Sequence, residues 1–201
     1  MPIDLRTLII AARDTVQQPR AGARAVIDMG LPARIGWLAL GLMAVVSAAL
    51  AALMYAAFPI PPEDAAPQIL MMEQILANPL QLALVQAIIL AIGAVLIWRI
   101  GIMFGGAGRL ADAVALLAWL EFILLLLQLV QTITMGISPP MSQAIGVFGF
   151  VIFLWLLSNF TAELHDFASV FSTFLGIIGA VIVLSFAAAV VVALMIGGRV
   201  Q

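Results

Sequence analysis

Residues 99–121 read RIGIMFGGAGRLADAVALLAWLE, and this stretch contains the pattern that decides the fold. An apolar run ends at Arg99, a glycine-rich turn follows at Gly105, Gly106 and Gly108, and a second apolar run then begins. Long runs of Leu, Ile, Val, Ala and Phe lie on both sides of the stretch. Hydrocarbon admits only helices or closed barrels, and a barrel would show alternating segments of about ten residues. The continuous runs therefore predict hydrophobic helices joined by short turns.

The composition extends this prediction to the whole chain of 201 residues. Apolar residues make up 65% of it and charged residues 9%, whereas a soluble domain has about 25% charged residues. So few charges could not cover this much apolar surface in water, which predicts an integral membrane protein. The chain has no cysteine and a single histidine, His165. This argues against thiol chemistry, disulfides and a histidine-rich metal site, and we expect no metal, no cofactor and no nucleic-acid partner.

Five apolar runs are long enough to cross a bilayer as helices. Residues 37–58, for example, contain no charge and would extend about 33 Å at the helical rise of about 1.5 Å per residue. The five predicted spans cover residues 37–58, 80–98, 110–135, 143–160 and 170–196. The loop after the first span is acidic and rich in proline, and its segment Ile69–Leu76 favours a short interfacial helix. The predicted fold is an all-α integral membrane bundle of five transmembrane helices in residues 35–201.

Residues 1–34 form the only sizeable polar segment, and they read as an amphipathic arm. Helical spacing puts one set of apolar residues on a common face, namely Leu5, Leu8, Ile9, Ala12 and Val16. Gln18-Pro19 interrupts this helix, and Pro19 suits the first turn of a second one. We interpret the arm as two helices on the cytoplasmic membrane surface, attracted to anionic lipid by about 1 kcal/mol per arginine. The alternative is a solvated helical tail that only sets the topology.

The arginines predict the orientation of the chain. All eight basic residues are arginines, and a cytoplasmic N-terminus would leave only Arg199 outside, in line with the positive-inside rule. The basic residues on the inner side would be Arg6, Arg13, Arg20, Arg24, Arg34, Arg99 and Arg109. We therefore expect a multi-pass protein of a bacterial cytoplasmic (inner) membrane, with its N-terminus in the cytoplasm and its C-terminus outside. The arginines of the arm and of the glycine turn would face lipid headgroups.

The segment from Pro19 to Ile196 resembles the bacterial branch of the Yip family, the Ypt-interacting membrane proteins. The likeness lies in the basic arm with its proline-led helix, the acidic first loop, RIGIMFGGAGRLADAVALLAW, and TAELHDF after the fourth span. This resemblance implies five spans with a cytoplasmic N-terminus. Eukaryotic members of the family are linked to Rab-type GTPases and vesicle trafficking. The chain reads GLPARIG before the first span, where those members carry aspartate-leucine-tyrosine-glycine-proline, so GTPase binding does not follow from the resemblance.

Glu121 is the most costly polar residue in the predicted spans. It lies about eleven positions into the third span, where a charge costs about 2.5 kcal/mol or more. Gln128 and Thr132 share its helical face. One interpretation is a proton or ion relay, or a ligand contact. The other is a protonated or paired glutamate that locks the bundle through hydrogen bonds. The candidate bonding partners are Gln86, Asn159 and Arg99.

Two turns that we expect in the cytoplasm carry the remaining candidate residues. The glycine turn lacks the Gly-Lys-Ser/Thr ending of a phosphate-binding loop, which leaves a plain tight turn or a lipid-phosphate contact through Arg99 and Arg109. The other turn, TAELHD at residues 161–166, contains Glu163, His165 and Asp166. It supplies too few ligands for a metal site. We interpret it as an interfacial turn that pairs with Arg99, with Arg109 or with the arm.

The sequence favours a non-enzymatic membrane protein that organises lipid or partner proteins at the cytoplasmic face. The expected partners are anionic membrane lipids, with a second copy of the chain or another membrane protein as further candidates. The alternative is a small transporter or channel built on Glu121 and Gln128. A Glu121 that faces a wet cavity would favour transport, whereas a Glu121 bonded to a neighbouring helix would favour a structural bundle.

Overall fold

A computed structural model describes residues 4–58 and 78–197 of the chain. The described residues fold into seven helices and contain no strand, which confirms the all-α prediction. In chain order the helices are α1 (Leu5–Gln17), α2 (Pro19–Asp28), α3 (Ala33–Ala57), α4 (Pro79–Met103), α5 (Leu110–Met135), α6 (Pro139–Leu164) and α7 (Val170–Gly197). The predicted short helix over Ile69–Leu76 lies outside the described residues.

Helices α3 to α7 are long and apolar enough to cross a membrane, which confirms the five predicted spans. Helices α3 and α6 begin four residues before the predicted spans, and α4 and α6 run past the predicted C-terminal ends by several residues. Helix α4 continues past Arg99 to Met103, and α6 includes residues 161–164 as its last turn. The predicted boundaries followed the first polar residue, but a helix needs no apolar side chains once it reaches the wet interface. The turn assigned to residues 161–166 therefore begins only at His165.

Helix starts follow the local chemistry of the chain. The side chain of Asn78 accepts hydrogen bonds from the backbone N–H groups of Leu80 and Gln81 at 3.1 and 3.2 Å, which caps α4. Helices α2, α4 and α6 have proline in their first turn, where the missing N–H would have no partner inside the helix. The prediction that a second arm helix starts at Pro19 agrees with this arrangement.

Helix α5 is the centre of the bundle. It packs against α3, α4 and α6, and also against α2. Its side chains contribute to two apolar clusters, one shared with α6 and the arm helices and one shared with α3 and α4. Ala44 and Ala48 of α3 are fully buried, since small residues let membrane helices approach closely. Helix α7 packs mainly on α6.

The arm helices dock on one end of this bundle. Ala12 and Thr15 of α1 and Ala23 of α2 are buried, and the indole Nε1 of Trp119 donates a hydrogen bond to Thr15 Oγ1 at 3.2 Å. The apolar face of α1, which we predicted to lie on lipid, is therefore divided between a part that contacts the bundle and a part that is exposed. Its Ala12 end packs against protein, whereas Leu5 remains 64% exposed.

Candidate functional site

His165 lies where the two predicted turns meet, and it is almost fully buried. The backbone N–H of Gly108 donates a hydrogen bond to Nδ1 of His165 at 3.3 Å. Because Nδ1 accepts this bond, Nε2 carries the proton of the neutral ring and donates to the carbonyl of Ile97 at 3.2 Å. The ring also stacks on Phe167, with 5.4 Å between centroids. The histidine therefore joins the end of α6 to α4 and to the turn between α4 and α5.

Three glycines make the space that the His165 ring occupies; we call them the glycine socket. A Cβ atom added at Gly101 or Gly106 would overlap the ring, and one added at Gly108 would lie 2.7 Å from Leu164 Cγ. Gly105 has a different role, since its φ of +86° is a conformation that glycine adopts readily. The sequence indicated a plain turn or a phosphate contact here. It gave no sign of Gly101, which lies inside an apolar run.

The position of His165 determines its protonation state. Burial lowers the pKa of His165 below its ordinary value of 6.5, although the bond to the Ile97 carbonyl acts in the opposite direction. The ring is therefore neutral at pH 7, as the hydrogen bond that Nδ1 accepts from Gly108 requires. In this arrangement His165 has a structural role, in which it packs against its neighbours and accepts and donates hydrogen bonds. Among the described residues, no group of three or more His, Cys, Asp or Glu side chains could hold a metal ion.

Glu163 fastens the arm to the bundle through two arginines; we call this three-residue contact the arm latch. The Nε of Arg20 donates to Glu163 Oε2 at 2.8 Å, and the Nε of Arg24 donates to Oε1 at 2.6 Å. The Glu163 side chain is 7% exposed, whereas those of Arg20 and Arg24 are 39% and 54% exposed. A buried carboxylate needs such partners, because an unpaired buried charge is strongly destabilising. Of the partners considered from the sequence, the arm is the one that the structure brings to Glu163.

Arg20 also connects the arm latch to the next turn. Its Nη2 donates to the backbone carbonyl of Phe167 at 3.4 Å, and the Phe167 ring stacks on His165. The arm latch and the glycine socket are therefore neighbours at one end of the bundle. Asp166, between His165 and Phe167, has a positive φ of 58°.

The other candidate arginines are more exposed. Arg109 Nε lies 3.7 Å from Asp112 Oδ2, with 71% of the arginine side chain exposed. The guanidinium of Arg99 lies 5.4 Å from the centre of the Trp98 ring. Arg6 and Arg13 are exposed on α1. Their predicted contact with lipid headgroups stays a prediction.

The polar stripe of α5 bonds to neighbouring helices. The side chain of Gln86 on α4 lies close enough to Glu121 to interact with its carboxyl group. Gln128 exchanges two bonds with Ser47 of α3: Ser47 Oγ donates to Gln128 Oε1 at 2.8 Å, and Gln128 Nε2 donates to the Ser47 carbonyl at 3.1 Å. Asn159, another candidate partner of Glu121, donates instead to the carbonyl of Trp155 in its own helix at 2.8 Å. These contacts fit a stripe that ties helices together and give the transporter alternative no support.

Comparison with known proteins identifies the family. The Yip1 domain model matches residues 13–192, from the second half of α1 into α7. No curated protein and no solved structure matches the chain. The family match covers most of the chain, including the arm latch and the glycine socket, and it confirms the resemblance at the level of the Yip family. The chain therefore belongs to the Yip1 domain family of membrane proteins.

Proposed function

We propose that this protein is a non-enzymatic membrane organiser, which gathers anionic lipids or partner proteins at the cytoplasmic face of a bacterial inner membrane. The observation that carries the proposal is the arm latch. Glu163 holds two arginines of α2 on the bundle, so that the arm is a fixed part of the molecule. A fixed basic surface can present the same charges to a lipid or a protein in every copy of the chain.

The surface around the arm latch has the chemistry that binds an anionic bilayer. Helix α1 exposes Leu5, Ile9 and Ile10, together with Arg6 and Arg13. A surface helix that exposes both apolar and basic side chains lies in the membrane interface and prefers anionic lipid. The buried side of α1 meanwhile contacts Trp119 of α5. Helix α1 would therefore lie between the bundle and the lipid headgroups.

The proposed orientation places this surface in the cytoplasm. The arm, the glycine turn and the turn after α6 meet at one end of the bundle, and seven of the eight arginines lie in or next to these segments. The positive-inside rule puts such an end in the cytoplasm. An odd number of spans then places the C-terminus outside. A second copy of the chain, or another membrane protein, would bind the same cytoplasmic surface.

The experiment uses the absence of native cysteine. An Ile9→Cys variant of the full chain is labelled with an environment-sensitive fluorophore and reconstituted into nanodiscs of phosphatidylglycerol or phosphatidylcholine. We expect a blue-shifted emission in phosphatidylglycerol, which is lost when Arg6 and Arg13 are both changed to Gln. A photocrosslinker at Ala25, an exposed position on α2, tests for a protein partner in native membranes. Identical emission in both lipids together with no crosslinked protein would contradict the proposal.

A further inference from the structure

A groove of about 560 Å³ opens between α4 and α7. Its walls come from α4, α6 and α7, with Leu117 of α5 among the lining residues, and nearly all of the lining is apolar. Pockets that hold small-molecule ligands measure about 300–1,000 Å³. The groove is therefore large enough for a ligand and has the lining of a site for hydrocarbon.

The packing of the helices explains why the groove is open. Helix α7 packs mainly on α6, and α4 packs mainly on α3 and α5. Gly93 of α4 and Gly176 of α7 lie in the two facing walls, where the missing side chains widen the gap. Both helices are candidate membrane spans, so the groove opens sideways at the depth of the bilayer. Lipid tails are the molecules that surround it there.

The groove is longer than the hydrocarbon part of one leaflet. Its lining at the start of α7 and along it runs from Ser169 to Leu184, which corresponds to about 22 Å at the helical rise of about 1.5 Å per residue. Half of the hydrocarbon core is about 15 Å. An acyl chain could therefore lie along the groove from the interface to the middle of the membrane.

The mouth of the groove, at the first turn of α7, is polar and lies beside Arg20 of the arm latch. Phe167, Ser169 and Thr173 line this end. Ser169 Oγ accepts a hydrogen bond from the backbone N–H of Ser172 at 3.1 Å, and the N-terminus of a helix favours an anion. Arg20 lies beside the mouth, because its Nη2 donates to the Phe167 carbonyl at 3.4 Å. A phosphate at the mouth would therefore meet a guanidinium and a helix N-terminus.

We propose that the groove binds one anionic phospholipid, with an acyl chain between α4 and α7 and the phosphate at the mouth beside Arg20. This inference rests on the proposed function, since it names the lipid and its position on the same end of the bundle. It differs from that function in one respect. The groove holds the lipid tail inside the protein, whereas α1 would contact the headgroups of the surrounding bilayer.

Two substitutions fill the groove from opposite walls. A Cβ atom at Gly176 has no neighbour within 4 Å, and one at Gly93 meets only the side chain of Leu117, at 3.8 Å. Gly176→Phe and Gly93→Leu should therefore occupy the space without displacing a helix. Gly179 provides the matched control, because its position on α7 is equally open and lies outside the groove lining.

The assay is native mass spectrometry of the full chain after exchange into micelles containing equal amounts of phosphatidylglycerol and phosphatidylcholine. Wild type and Gly179→Phe should each retain one phosphatidylglycerol, and the two filling variants should retain about tenfold less. Arg20→Gln should lose the preference for phosphatidylglycerol. Arg34→Gln should keep it, because Arg34 is an exposed arginine outside the arm latch.

Full lipid retention in both filling variants would overturn the inference. So would a loss of self-association in those variants without a change in bound lipid, because the occupant would then be a second copy of the chain. If Gly176→Phe does not fold, Gly93→Leu decides the question alone. Failure here is distinguishable from failure of the proposed function, since the Ile9 fluorophore reports on α1 and the bilayer surface.

Discussion

Removing the charge of Glu163 should release the arm from the bundle. Glu163→Gln keeps the size of the buried side chain but deprives Arg20 and Arg24 of the carboxylate that both of them bond. The two ends of the contact lie 143 and 139 residues apart in the chain, so the loss affects the docking of α2 rather than the stability of an isolated helix. We expect α2 to open while the five spans remain folded.

The size of the effect follows from burial on the two sides of the contact. Each hydrogen bond to a charged group contributes about 1.5–3 kcal/mol when shielded, but exposed ion pairs contribute about 0–1 kcal/mol. Here the carboxylate is buried and the two guanidinium groups are 39% and 54% exposed. An intermediate value of about 2 kcal/mol for the two bonds together is reasonable, which corresponds to about a thirtyfold change in an opening equilibrium.

Hydrogen exchange on the protein in nanodiscs measures this opening directly. The amides of α2 should exchange about thirtyfold faster in Glu163→Gln than in wild type, while those of α5 keep their protection. Asp112→Asn is the matched control, because Asp112 pairs with Arg109 across 3.7 Å at the same end of the bundle. Unchanged exchange of α2 in Glu163→Gln, or an equal increase in the control, would refute the reasoning.

Three further predictions test the glycine socket and the polar stripe. Gly106→Ala places a Cβ atom against the His165 ring and should destabilise the protein by about 1–3 kcal/mol in thermal unfolding; Gly41→Ala, which meets nothing within 4 Å, should not. Burial lowers the pKa of His165 in the folded protein, so the unfolded chain binds a proton at His165 at a higher pH than the folded protein does. Thermal stability should therefore decrease as the pH falls from about 7 to about 5. An unchanged pH dependence of stability in a His165→Gln variant would contradict this. Ser47→Ala and Gln128→Ala should show a coupling of about 0.6 kcal/mol in a double-mutant cycle, and strictly additive losses would mean that the bond from Ser47 Oγ to Gln128 Oε1 contributes nothing.

The five spans could be predicted because each corresponds to a continuous run of apolar residues in the sequence. The ends of the helices were predicted less accurately from the sequence, because Arg99 and Thr161 were interpreted as boundaries but lie inside helices. Helical hydrogen bonding continues into the interface, where water solvates polar side chains. The proline-led start of α2 was readable, because Pro19 constrains its own backbone.

The candidate site was predictable as a set of residues but not as a set of contacts. Glu163, His165 and Gly106 stand out in the sequence because they are polar or conformationally unusual among apolar neighbours. Their partners depend on how distant helices pack, so the bond between His165 and the Gly108 amide, 57 residues away, left no local trace. Gly101 shows the same limit of sequence-based prediction, because the sequence around a glycine in an apolar helix does not indicate whether that glycine faces lipid or a histidine ring.

The arm latch also imposes an order on the biogenesis of the protein. Arg20 leaves the ribosome 143 residues before Glu163, and at about 5–20 residues per second the delay is about 7–29 s. Throughout that interval the arginines of α2 lack their carboxylate, and in the orientation proposed above they would be available to hold the N-terminus on the cytoplasmic side as the first spans insert. In that orientation the same two side chains would serve first as a topological signal for the membrane-insertion machinery. They take up their structural role only after the fourth span has been synthesised.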